Sequence, residues 1–234
     1  SASSALSYRA IAVFYLPLAL TTILALGIRP MVTFFMSLAP LPVKSLAVFP
    51  VVHSLTFLFT CLGLSFQEVT LALVGDRLEN YFLLRRFAFG LGTLAFVGLG
   101  CINFTPLASI WFQDICGLSS ELTEFAILPA QILTVLPCIW VWLCFQRAIL
   151  MNGRRTGPIT TSTGLQVILV LGVLLTLIKT TDLIGIIAAS IALLLGSVSV
   201  PLYLFPAFSQ TVQQALGKVP GFTVTRKTDP SRNN

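Results

Sequence analysis

The sequence predicts an all-α membrane protein, a bundle of six transmembrane helices with both termini on the cytoplasmic side. Composition is the first reason. Of 234 residues 56% are hydrophobic and only 9% charged, against about 25% charged in a soluble globular protein. A surface so poor in charge is matched to a bilayer. The second reason is the recurrence of uncharged stretches along the chain, at 10–28, 45–67, 87–113, 125–146, 156–178 and 183–217. Each approaches or exceeds the ~20 residues that cross a hydrocarbon core as a helix. Lipid offers the backbone no hydrogen-bond partners, so a span is either a helix or part of a closed barrel. The period-two alternation of a barrel is missing from these runs.

Taken in order, the spans are expected at about 8–38, 43–76, 80–105, 120–152, 156–178 and 182–208, followed by a polar cytoplasmic tail over 209–234. The opening "SASSALSYR" holds one positive charge and precedes an apolar run too long for a cleavable leader, so no leader is expected. "APLP" (39–42) separates the first two spans, because its prolines cannot continue a helix. "GDRLEN" (75–80) and "NGRRTGP" (152–158) are turn-forming. "FTPLASIWFQDICGLSSEL" (104–122) reads as an interfacial segment with Trp111 at headgroup level.

Charge sets the orientation. One set of helix ends carries Arg9, Arg77, Arg85, Arg86, Arg147, Arg154, Arg155, Lys218, Arg226, Lys227 and Arg232; the opposite ends carry only Lys44 and Lys179. By the positive-inside rule the first set is cytoplasmic, and Arg147, Gly153 and Arg154 belong to one cytoplasmic turn. The net charge of +6 is then a rim facing anionic headgroups and calls for no nucleic acid. Ala188, Ala192 and Gly196 form a small-residue stripe suited to close helix packing. The five cysteines show no CxxC spacing and read as small packing residues. One histidine and scattered thiols make no zinc pattern, and no GxxxxGK[ST] loop for ATP occurs. No enzyme chemistry, metal or organic cofactor is expected.

Arg29 is the one basic residue in mid-span, followed by Pro30. An arginine at mid-membrane costs roughly 2.5–3.5 kcal/mol on insertion scales, which demands a partner or a wet cavity. Nine residues from the expected helix end, it lies about 14 Å deep. His53 lies about 15 Å down the next, antiparallel helix by the same rise, just after Pro50. The spacing predicts that Arg29 and His53 share one level, with Pro30 and Pro50 opening their helices around a substrate cavity. A purely structural reading, in which both side chains hold helices together, stays open. Glu68, beside Gln67, either pairs with Arg85 or Arg86 at the rim or couples a proton or cation. Asn103 and Gln131 are suited to joining helices.

"FYLPLALTTILALGIRPMVTFFMSL" followed by "LAVFPVVHSLTFLF" resembles the start of the second half of the progressive ankylosis protein family, within the superfamily of multidrug and toxin extrusion (MATE) transporters and lipid-linked saccharide flippases. The matching features are the PLAL segment (17–20), Arg29-Pro30 with "MVTFF", Pro50-Val51 with His53, and the acid at Glu68. "FTPLASIWFQDICGLSSELTEFAILPAQIL" is similar to that half's loop and fourth helix, and "FQRAILMNGRRTGPI" to the superfamily's Arg–x–x–Leu–x–x–Gly turn. The resemblance implies one six-helix lobe of a multi-pass, alternating-access secondary exporter or antiporter in a cell or inner membrane. Its cargo would be a small polar or anionic solute or drug, as in multidrug efflux, with Na+ or H+ as the coupling ion. It also implies a second six-helix lobe, either a missing N-terminal half or another copy of the chain. A lipid or lipid-linked saccharide flippase and a non-transporting membrane scaffold are the alternatives.

Overall fold

The computed structural model describes residues 23, 26–75, 78–181 and 183–216. Among these, every regular element is helical: α1 (Leu26–Met36), α2 (Pro42–Leu73), α3 (Tyr81–Asn103), a short α4 (Leu107–Ser109) running into a π-helical turn (Ile110–Ile115), α5 (Ser120–Leu133), α6 (Leu136–Asn152), α7 (Gly157–Thr180) and α8 (Gly185–Leu216). Five helices are long and apolar enough to cross a membrane: α2, α3, the combined α5–α6, α7 and α8. The expected first span lies largely outside the described residues, and α1 is its described part. Arg9, Arg77 and the four basic residues of the tail also lie outside them. α8 continues to Leu216, past the end expected at 208.

The turn at 37–41 forms where the prolines require it. Leu41 takes a left-handed conformation (φ 54) and Pro42 opens α2, where its missing N–H has no helical partner to lose. Pro50 sits inside α2, which continues on both sides of it.

The fourth span runs over 120–152 as expected, with a lapse in its helical hydrogen bonding at 134–135, where the backbone stays right-handed. Pro137 cannot donate to Leu133 and crowds that carbonyl, so α5 ends and α6 begins two residues on. α3 fastens the break. Asn103 Nδ2 donates to the Ala130 carbonyl and to Thr134 Oγ1, both at 2.9 Å. Gln131 Nε2 returns a bond to the Asn103 carbonyl at 3.3 Å. In lipid, where stray polar groups find no water, such bonds hold helices in register.

α6 is the centre of the bundle, packed on α2, α3 and α8; α7 packs on α8, and α5 on α2 and α8. One side of α6 carries Phe145, whose ring lies 5.5–6.3 Å from those of Trp142, Phe208, Tyr81 and Phe66. Close ring packing replaces the hydrophobic effect, which does not separate helix from lipid tail. The small-residue stripe lies at the α7–α8 crossing. Ala188 and Ala192 are fully buried, and a Cβ on Gly196 would stand 2.3 Å from Val170 Cγ2. Trp111, within the π turn, is half-buried and packs against the core.

Candidate functional site

α2 turns one stripe toward a cavity: His53, Thr56, Phe57, Thr60 and Leu64, with Phe57 and Leu64 at its exposed edge. Their i, i+3, i+4, i+7, i+11 spacing puts them on one helical face. α6 answers with Leu136, Trp140 and Arg147, α7 with Thr163 and Gln166, α8 with Leu193 and Ser197, α5 with Leu133, and α1 with Ile28 and Arg29. Together they enclose a cavity of about 210 Å³.

The hydroxyls are already committed as donors. Thr56 Oγ1 donates to the Val52 carbonyl (3.1 Å), Thr60 Oγ1 to Phe57 (2.8 Å) and Thr163 Oγ1 to Ile159 (3.0 Å). Their lone pairs stay available. Gln166 Nε2 reaches Ser197 Oγ at 3.4 Å and ties α7 to α8.

The cations are held differently. The Arg29 guanidinium lies over the Phe57 ring at 5.5 Å, and that of Arg147 over the Trp140 ring at 5.7 Å. A ring face attracts a cation through its quadrupole without neutralising it. Among the described residues no carboxylate lines the cavity, and the recorded ion pair joins Lys44 to Glu121 elsewhere. Arg147 Nε and Trp140 Nε1 are both buried without an acceptor. A buried donor left unpaired carries a desolvation penalty of about 1–3 kcal/mol, so two such donors, both on cavity-lining side chains, mark a place for a ligand's acceptor atoms.

Arg29 and His53 therefore meet at one cavity, with His53 partly buried and edge-on to Phe49 at 5.9 Å. Pro30 and Pro50 do not line it; both are exposed on other faces of their helices. Arg147 is the main correction. Expected in the cytoplasmic turn, it lies within α6, and the 3.6-residue period carries it back to the face of Trp140, two turns earlier. Gly153 and Arg154 do form the turn between α6 and α7, Arg154 with a left-handed backbone (φ 54). A Cβ on Gly153 would meet Thr211 Cγ2 at 2.7 Å. Glu68 is exposed, is not among the cavity-lining residues, and forms no ion pair with Arg85 or Arg86; Gln67 is partly buried beside it and also outside the lining.

Sequence reasoning passed over Thr56, Thr60, Trp140, Thr163, Gln166 and Ser197. The stripe from His53 through Thr56 to Thr60 was the available signal, three polar side chains on one face of an otherwise apolar helix. Comparison of the chain with protein families, curated proteins and solved structures gives no match to any of them.

Proposed function

We propose that the chain is one lobe of a secondary membrane transporter whose cavity binds a small anionic or polar solute. The observation that carries the reading is a pair of arginines, Arg29 and Arg147, lining one cavity with aromatic faces in place of carboxylate partners. Among the described residues the Arg147 guanidinium has no counter-ion within this apolar bundle, which is expensive, and such residues mark substrate pathways. Threonine and serine oxygens, Gln166 and His53 add polar contacts that fix orientation. The resemblance to progressive ankylosis and MATE-like exporters supports alternating access and a second lobe, and the positive-inside bias supports cytoplasmic termini. Glu68, without an ion pair among the described residues and inside a spanning helix, is a candidate for Na+ or H+ coupling.

One observation favours the flippase alternative. Arg29, Phe57 and Leu64 line the cavity yet remain exposed on the bundle's surface, so the cavity has an open side that a lipid could enter if no second lobe covers it.

The test is uptake into proteoliposomes holding the full chain, assayed with labelled small carboxylate and phosphate anions and with a short-chain fluorescent phospholipid. Anion uptake that is lost in Arg147→Gln, with the protein still inserted, supports the transporter reading. Lipid scrambling without anion uptake favours the flippase.

A further inference from the structure

We propose that α3 carries a binding site for an anionic phospholipid, with Arg86 taking the headgroup and a notch at Gly90 taking an acyl chain. The site is separate from the solute cavity and does not rest on the transport reading. A groove on the outer face of α3 is lined by Leu83, Arg86, Phe87, Gly90, Leu91 and Leu94. These positions recur at i, i+3, i+4, i+7, i+8 and i+11, one continuous stripe along the helix. Leu83, Phe87 and Leu94 are 70%, 58% and 65% exposed, so no other described element covers the stripe.

Two features turn a bare lipid-facing surface into a site. Gly90 makes a gap in the stripe. A Cβ built there would find nothing within 4 Å, so the backbone is open between Phe87 and Leu94 and a chain can lie close against it. Arg86 then stands at one end, five residues into α3 and so about 8 Å from the helix start. From there its stem lies along apolar surface while the guanidinium reaches the headgroups. Its neighbour Arg85 is drawn back over the Phe89 ring at 5.9 Å. Arg86 makes no ion pair, hydrogen bond or ring contact among the described residues. A free cation at headgroup depth, above an apolar notch, complements a lipid with a negative head.

The bundle contains its own control. α7 has a similar exposed groove around Gly172, lined by Ile168, Leu169, Val173, Thr176 and Leu177, with no charged side chain among its walls. That groove offers an acyl chain the same kind of space, with no cation in its walls and Lys179 one turn beyond them. Charge at the head should decide between the two sites, since one basic residue near the surface is worth roughly a fivefold preference for an anionic lipid.

The experiment uses the full chain in nanodiscs of phosphatidylcholine with phosphatidylserine. Tracer phosphatidylserine or phosphatidylcholine carrying a photoreactive acyl chain is cross-linked and the adducts are mapped by mass spectrometry. The expected result is severalfold more phosphatidylserine than phosphatidylcholine adduct between Leu83 and Leu94, and equal labelling around Gly172. Arg86→Gln should abolish the preference while leaving total labelling of the notch. Gly90→Leu should reduce labelling by both lipids, and the open space around Gly90 gives that side chain room without disturbing the fold. Equal labelling of α3 by the two lipids, a preference that survives Arg86→Gln, or protection of α3 by a second copy of the chain would each overturn the assignment.

Discussion

Arg147 holds its guanidinium 5.7 Å from the centre of the Trp140 ring, two turns earlier on α6. The pairing explains how a cation can be kept inside an apolar bundle. The indole face offsets part of the desolvation, and the planar fork of the guanidinium suits such stacking as an ammonium does not. The attraction leaves the charge intact, and Arg147 Nε and Trp140 Nε1 both lack acceptors. Both groups are therefore available to the same bound solute.

Replacing Arg147 by Gln should weaken binding of a small anion by about 10- to 100-fold, the loss expected for a charge-assisted hydrogen bond of ~1.5–3 kcal/mol. Arg147→Lys should recover only part, because charge returns without the stacked fork. Equilibrium binding of a labelled anion to the purified chain at fixed low salt reads both. Equal affinity in all three proteins would show that the cavity does not use this cation.

At the α7–α8 crossing, Gly196→Ala should destabilise the bundle by about 1–3 kcal/mol, the usual consequence of overpacking. The added methyl would meet Val170 Cγ2 at 2.3 Å, and Val170 is itself fully buried with no room to retreat. Trimming the opposing side chain in Gly196→Ala/Val170→Ala should restore most of the loss. Thermal unfolding in detergent measures the pair, and a double variant no better than the single would show that the contact is not the cause.

The helices were legible in the sequence because apolar runs near 20 residues have few other uses. Arg29 and His53 were expected at one level from antiparallel neighbours and a fixed rise per residue, and both line the cavity. Face was harder to read. Arg147 sits near a run of arginines and reads as part of the rim, yet it lies inside α6 on the cavity-facing side, whereas Arg154 sits in the turn that follows. Pro30 and Pro50 were placed by depth alone, and depth does not say which side of a helix a residue occupies. The break at 134–135 was hidden because the hydropathy of the fourth span runs through it unchanged; Pro137 was the signal.

That break should depend on Asn103. Asn103→Leu removes the donor to Ala130 O and Thr134 Oγ1, at an expected loss of about 1–3 kcal/mol for buried partners left unpaired. Thr134→Val removes one of the same partners, so Asn103→Leu/Thr134→Val should cost clearly less than the sum of the singles. Additive losses in thermal unfolding would mean the two side chains act independently.

The loop before α5 offers a test of orientation. Cys116 follows the π turn, outside the spanning helices, and is partly exposed. Arg154 lies in the α6–α7 turn, at the other end of the α5–α6 span. If the arginine-rich ends are cytoplasmic, an impermeant maleimide added to intact cells should modify Cys116, mapped by mass spectrometry. A cysteine placed at Arg154 should react only after permeabilisation. Burial pushes the Cys116 thiol up, and the thiolate is the form that attacks. A raised pKa leaves less thiolate at neutral pH, so labelling should be slow there and keep accelerating through the pH range in which ordinary thiols have already ionised. Labelling of Arg154→Cys in intact cells, with Cys116 reached only after permeabilisation, would reverse the proposed orientation while leaving the bundle and its cavity unchanged.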